Sequence, residues 1–512
     1  MHLDLGVGRL VDAVSGAAWE PPEVAGQVAL RARRFARLGL ARGDRVLVHF
    51  GNRREFFAEL LAAWRLGACV VPLDARLTPF EVETLAAAAR PRFAIVDDSV
   101  DPAVARASRD AGATVLDTLE VAARDGSASD PVAPAGVSRL DDDALILFTS
   151  GSTGDPKGVV HTHRSLRARW ITLSRSLPRE AFRRTLSVLP THFGHGLICN
   201  CLFPWLSGQD LFVTPPFKAD LLMKLGSLVD EHGITFLSSV PSVWRIALRL
   251  ARPPRRGTLE RVHCGSAPLS AETWRAIQGW TGTTQVANAY GITETGSWVA
   301  GLERVDVEPE DGLVGTGWGA VVRVLASREM DAPLDPGATC RPGESGHVWL
   351  NTPALMREYW RRDDLTEAAV SHGWFLTGDV GAIDERGFLL LRGRERDEIN
   401  KGGAKIYPGD VDAVVEQFDG VTDVCTFAVD DALYGQNVGM AVCLRDRDDE
   451  TVRGLHRWMK ERLAEPKMPV RWFVVGEIPR TSRGKVNREQ VKRACESLAP
   501  LELAGILHGE ER

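Results

Sequence analysis

The chain has 512 residues, 44% of them hydrophobic and 25% charged, with a formal net charge of -6. That length exceeds one compact core and calls for more than one domain or lobe. The composition is that of an ordinary globular protein, and a mildly acidic chain without basic clusters argues against nucleic acid as a partner.

The opening residues, "MHLDLGVGRLVDAVSGAAWE", lack the basic start and apolar block of a secretory signal. The most apolar run, "GLICNCLFPWL", is about half the length that spans a bilayer. The expected location is the cytoplasm, with no membrane span.

Short β-branched runs follow in order: "DRVLVHF", "CVVPLD", "RFAIVDD", then "RTLSVLP", "ITFLSSV" and "RVHCGS". Stretches with helical periodicity such as "EFFAELLAAWRLG" lie between them, which predicts an α/β fold with mainly parallel sheets. "DGSASDPVAPAG" (125–136) reads as a linker. After about Gly346, short strands and tight turns ("GHVWLNT", "GWFLTGDVGAIDERGFLLLRGR") predict a small β subdomain. A boundary is expected at 394–397, dividing a large domain (1–394) from a small α+β domain (395–512), whose helical pattern begins at Asp410. The eight cysteines form no CxxC pair and are expected to hold no metal; Cys199 and Cys201, the one conceivable metal pair, are expected to be buried free thiols.

The segment "LFTSGSTGDPKGVVHTH" (147–163) gathers Thr149, Ser150, Gly151, Ser152, Thr153, Gly154 and Lys157. It is not a Walker A loop, because Pro156 precedes Lys157 and Gly158 follows. Glycines let backbone N–H groups converge and hydroxyls add donors, so the loop suits a phosphate chain. "ALILF" before it reads as a strand and "HRSLRARWITLS" after it as a helix, the usual setting of such a site. Lysine is scarce, with 9 against 53 arginines, yet Lys157, Lys401, Lys405 and Lys485 all fall in glycine-rich loops. A compact ammonium suits a point contact with phosphate or carboxylate.

"FTSGSTGDPKGVV" resembles the phosphate-loop signature of the adenylate-forming superfamily, which includes acyl-CoA synthetases, peptide-synthetase adenylation domains and beetle luciferase. "GSAPLS", "NAYGITETG", "GWFLTGDVGAID", "RGRERDEINKGGAKIYPGDVD" and "PRTSRGKVNR" follow in that family's order. The resemblance covers about residues 25–495. It implies ATP-dependent activation of a carboxylic acid through an acyl-AMP, with release of pyrophosphate and then acyl transfer.

By that resemblance, Thr149, Ser150, Gly151, Ser152, Thr153, Gly154 and Lys157 cradle the β- and γ-phosphates. Gly265, Ser266 and Ala267, with Asn288, Ala289, Tyr290 and Gly291, line the nucleotide. Thr293 approaches the α-phosphate and Glu294 binds Mg²⁺, a hard cation that prefers oxygen. Asp379 accepts from the ribose hydroxyls, and Arg394 approaches ribose and phosphate. Lys485 is the expected catalytic lysine, offsetting charge between two approaching anions. Arg396 is the expected pivot of a rotating small domain, beside Asp397, and Gly402 and Gly403 line a pantetheine channel.

"LPTHFGHGL" (189–197) corresponds to the acid pocket, with His192, Phe193 and His195 as candidates. Gly194 stands where amino-acid-activating relatives carry aspartate, which disfavours α-amino acids because a buried ammonium would lack its counter-charge. Trp298 is either an aromatic wall or core packing, and an aryl or a short to medium acyl acid is expected. Coenzyme A is the expected acceptor, with a carrier protein or an amine as alternatives, in a monomer or homodimer. Two other readings stay open: a γ-phosphate-transferring enzyme, and a non-catalytic nucleotide-binding regulator.

Overall fold

The computed structural model describes residues 6–122, 138–149, 157–215, 219–303, 307–401, 404–431, 434–463, 465–481 and 486–502. The predicted linker 125–136 lies outside them.

Three sheets carry the chain. In a seven-stranded sheet, Cys69–Pro72, Arg45–Val48, Phe93–Val96 and Thr114–Asp117 run parallel in that spatial order. In the first three the β-branched residues are buried on both faces, as parallel strands covered by helices require, whereas the edge strand Thr114–Asp117 is partly exposed. Val46 and Val48 join a core with Phe35 and Phe56 from the helices Pro21–Arg37 and Arg54–Arg65. Leu47, Val71 and Ala94 face the other way, onto Ala86 and Ala89 of the helix Pro79–Ala89.

This sheet corrects one expectation. The glycine-rich segment does not lead from a strand directly into a helix. Asp143–Thr149 pairs antiparallel with a second strand, Lys157–Thr162, in register Thr149↔Lys157, and the helix His163–Ser176 begins only after it. "KGVVHT" carries two valines and a threonine, residues that favour a pleated, half-buried surface. Thr162 then caps the helix by accepting from Ser165 N.

The largest sheet has 14 strands. Its parallel part runs Asp210–Val213, Arg184–Ser187, Phe236–Ser239, Arg261–Gly265 and Val286–Ile292. At Tyr290 the last of these turns its pairing antiparallel, to Ser297–Gly301, and the path continues through Leu313–Gly317, Leu389–Arg394 and Trp374–Ile383. The short-strand region after Gly346 is therefore continuous with the parallel sheet.

The third sheet has five strands and is built on the long antiparallel pair Val421–Asp431 and Gly435–Leu444, the second of which also pairs Ile399–Lys401 and Arg471–Val474. Val424, Val438, Met440 and Trp472 pack on one face with Val411 and Leu455 from the helices Pro408–Val415 and Asp449–Arg462. Phe427, Ala441 and Phe473 lie with Val491 and Cys495 of the helix Arg488–Glu496. All eight cysteines are free; seven, Cys199 and Cys201 among them, are buried, and Cys340 is half-buried. No helix of the described residues is long and apolar enough to cross a membrane.

Candidate active site

The expected site residues sit at the C-terminal ends of the strands Arg261–Gly265 and Val286–Ile292, beside the hairpin 143–162. Brought together there are Thr149 and Lys157 of the hairpin, Gly265 to Ala267, Asn288 to Gly291, Thr293, Glu294 and Asp379. The loop residues Ser150 to Gly154, Gly402, Gly403 and Lys485 lie outside the described residues. The backbone of Arg396 belongs to a 3₁₀ turn, Glu395–Asp397, immediately after the strand ending at Arg394.

Close backbone approach shapes the floor. Gly265 pairs with Ala289, and a Cβ on Gly265 would stand 2.1 Å from the Ala289 carbonyl oxygen, so only glycine fits. Ser266 follows with φ +67°, a left-handed conformation rare for a non-glycine residue. Asn288 is buried and donates from its amide to the Leu313 carbonyl at 2.9 Å, a bond that ties two strands together.

Two carboxylates are held by phenols. Tyr290 donates from its hydroxyl to Asp379 Oδ2, and Arg394 Nε lies 2.8 Å from Asp379 Oδ1. Burial, followed by the Asp379 charge, pushes the Tyr290 phenol well above its ordinary range. Tyr359 donates to Glu294 Oε1 at 2.7 Å, and its ring lies 5.8 Å from Lys157 Nζ. Tyr359 went unnoticed in the sequence; its only signal is "REYW", 65 residues from Glu294.

The Thr293–Gly296 turn is clamped from behind. His161 Nε2 donates to the Thr293 carbonyl at 2.7 Å. Arg169, buried on the helix His163–Ser176, donates to the Thr295 carbonyl from Nη2 at 2.9 Å and to the Trp318 carbonyl from Nη1 at 3.0 Å. Burial lowers the His161 pKa to about 4 and that of Arg169 to about 10. Neither residue was a sequence candidate.

On the expected acid side, Phe193 packs with Leu189, Leu222, Val240 and Val243. His192 Nε2 lies 3.5 Å from Asp74 Oδ2. His195 is buried, its ring 5.4 Å from that of Trp298. Trp298 is 1% exposed and also meets the rings of Phe236, His263 and Trp318. It is both core packing and the neighbour of His195.

The model of AMP-binding enzymes matches residues 22–360, and that of their C-terminal domain matches 410–485. The chain belongs to the AMP-binding enzyme family. This is the adenylate-forming superfamily that the six sequence blocks resemble. Among relatives of this AMP-binding enzyme, a long-chain-fatty-acid–CoA ligase, FadD13 of Mycobacterium tuberculosis, is 28% identical, with 90% of each chain covered. A feruloyl-CoA synthase from Amycolatopsis is 28% identical over 93% of this chain and 94% of that protein. The structure of ATP-bound MatB from Rhodopseudomonas palustris superposes with a TM-score of 0.84 at 26% identity, covering 96% of this chain and 97% of that one.

Proposed function

We propose that this AMP-binding enzyme is an AMP-forming acid–CoA ligase that joins a carboxylate to the α-phosphate of ATP and then passes the acyl group to coenzyme A. The observation that carries the reading is the Lys157–Tyr359–Glu294 contact. One phenol brings the only described cation of the glycine-rich hairpin beside the carboxylate of the "YGITE" turn. A cation from one loop and a carboxylate from the other are the pair needed to hold a polyphosphate together with its metal ion.

Glu294 suits Mg²⁺: Tyr359 engages Oε1, and a carboxylate has a second oxygen to offer a hard cation whose remaining ligands are phosphates and water. Bound Mg²⁺ would neutralise phosphate charge. Thr149 and Lys157 would position the phosphates, Gly265 to Ala267 the base, and Asp379 with Arg394 the ribose. Lys485 would supply positive charge where the two anions meet. The small sheet and its helices, with their own core, support a division into domains 1–394 and 395–512, with Arg396 as pivot and Gly402 and Gly403 lining the pantetheine path.

For the acid, the substrate is an aryl or a short to medium acyl group, with His192, Phe193, His195 and Trp298 as the residues of the acid side. Relatives named for coenzyme A products favour that acceptor over a carrier protein or an amine. The test is exchange of labelled pyrophosphate into ATP with acetate, butyrate, octanoate, benzoate and ferulate. Acid-dependent exchange, followed by acyl-CoA in the mass spectrum when coenzyme A is added, is expected. ATP hydrolysis to ADP without exchange would overturn the reading in favour of γ-phosphate transfer.

A further inference from the structure

His195 joins three parts of the site that are far apart in sequence. It begins the helical segment His195–Leu202, a π-helix that follows "THFG". Its Nε2 lies 2.7 Å from Ser238 Oγ, on the strand Phe236–Ser239, and its Nδ1 lies 2.9 Å from Ser266 Oγ. Ser238 is fully buried and His195 is 1% exposed. A neutral imidazole offers one donor and one acceptor, and each hydroxyl serves in either role, so both bonds can form in either tautomer.

Ser266 is the residue in the left-handed region, one step beyond the glycine whose Cβ the Ala289 carbonyl excludes. A serine keeps that conformation only when its surroundings over-determine it. The strand Arg261–Gly265 fixes the loop from one side. The bond to His195 fixes it through the Ser266 side chain.

We infer that His195 is a positioning residue: through Ser266 it holds the loop 265–267 in the left-handed conformation that receives the nucleotide, and so ties that loop to the acid wall. The inference rests on the proposed reading of 265–267 as the nucleotide side of the site. A phenylalanine at 195 would keep the ring against Trp298 and Phe193 but lose both bonds. The pre-organised loop would then relax, and nucleotide would bind at the cost of re-ordering it.

The test is calorimetric titration of the full chain with α,β-methylene-ATP and Mg²⁺. His195→Phe is expected to weaken binding about five- to tenfold, the size of one hydrogen bond's net contribution, and to lower the thermal midpoint modestly, because the buried Ser238 hydroxyl loses its partner. Adding Ser266→Gly to that variant is expected to restore most of the affinity, because glycine adopts the left-handed conformation unaided. A purely structural role for the histidine would not be rescued in this way. His195→Phe binding as tightly as wild type, or no rescue by Ser266→Gly, would overturn the inference. Should His195→Phe fail to fold, Ser266→Ala, which removes the same bond, is expected to show the same weakening, and wild-type affinity in that variant would overturn the inference. Wild-type protein that bound no nucleotide would instead overturn the reading of the site itself.

Discussion

Asp379 and Arg394 are register partners on adjacent antiparallel strands, with Arg394 Nε 2.8 Å from Asp379 Oδ1 and the Tyr290 hydroxyl on the other carboxylate oxygen. The Asp379 side chain is 8% exposed, whereas the Arg394 side chain keeps 40% of its surface.

Asp379→Asn removes the charge while preserving the shape. It is expected to raise the KM for ATP about tenfold or more, because charge-assisted hydrogen bonds are the strong ones. Pyrophosphate exchange measured against ATP concentration checks this. An unchanged KM would remove Asp379 from the nucleotide site.

Tyr359→Phe leaves the ring beside Lys157 and deletes the bond to Glu294. The concentration of Mg²⁺ needed for half-maximal exchange is expected to rise about tenfold, as loss of a hydrogen bond to a charged group predicts. Glu294→Gln is expected to be more severe. If Tyr359→Phe titrated with Mg²⁺ like wild type, the phenol would be only a packing residue.

Arg169→Gln tests the clamp behind the Thr293–Gly296 turn. Its guanidinium meets the Thr295 and Trp318 carbonyls in the interior, so replacement leaves buried acceptors without donors. A loss of about 2–4 kcal/mol in stability is expected, read as a lower urea midpoint. An unchanged midpoint would show that the turn holds itself.

The buried histidine His161 sets a pH dependence. Burial lowers its folded-state pKa from 6.5 to about 4. Between those values the unfolded chain binds the proton and the folded chain does not, so its contribution to stability is present above pH 6.5 and lost as pH falls towards 4. Denaturant midpoints should decline over that window. His161→Gln should decline less steeply, and equal slopes would exclude His161 as a cause.

Lys485→Ala should slow adenylation by orders of magnitude while sparing transfer from preformed acyl-AMP, since its charge is needed where the anions meet. Separate assays of the two half-reactions check this. Equal loss in both would assign the lysine to binding instead.

The strands and their order of appearance were legible because runs such as "RVLV" and "FAIV" carry the pattern of a sheet buried on both faces, and six ordered blocks marked the family. The hairpin was misjudged although "KGVVHT" carried its signal, because the glycines before it suggested a loop leading straight to a helix. Sequence alone thus determined which residue types the chemistry uses, since phosphates, a metal ion and a carboxylate require particular side chains on loops of recognisable composition. Tertiary structure alone decided that Tyr359 holds Glu294, that Arg169 and His161 brace the turn behind it, and that His195 reaches Ser266. Those contacts join residues 65 to 132 positions apart, and no local propensity or periodicity records a distance that only chain packing creates.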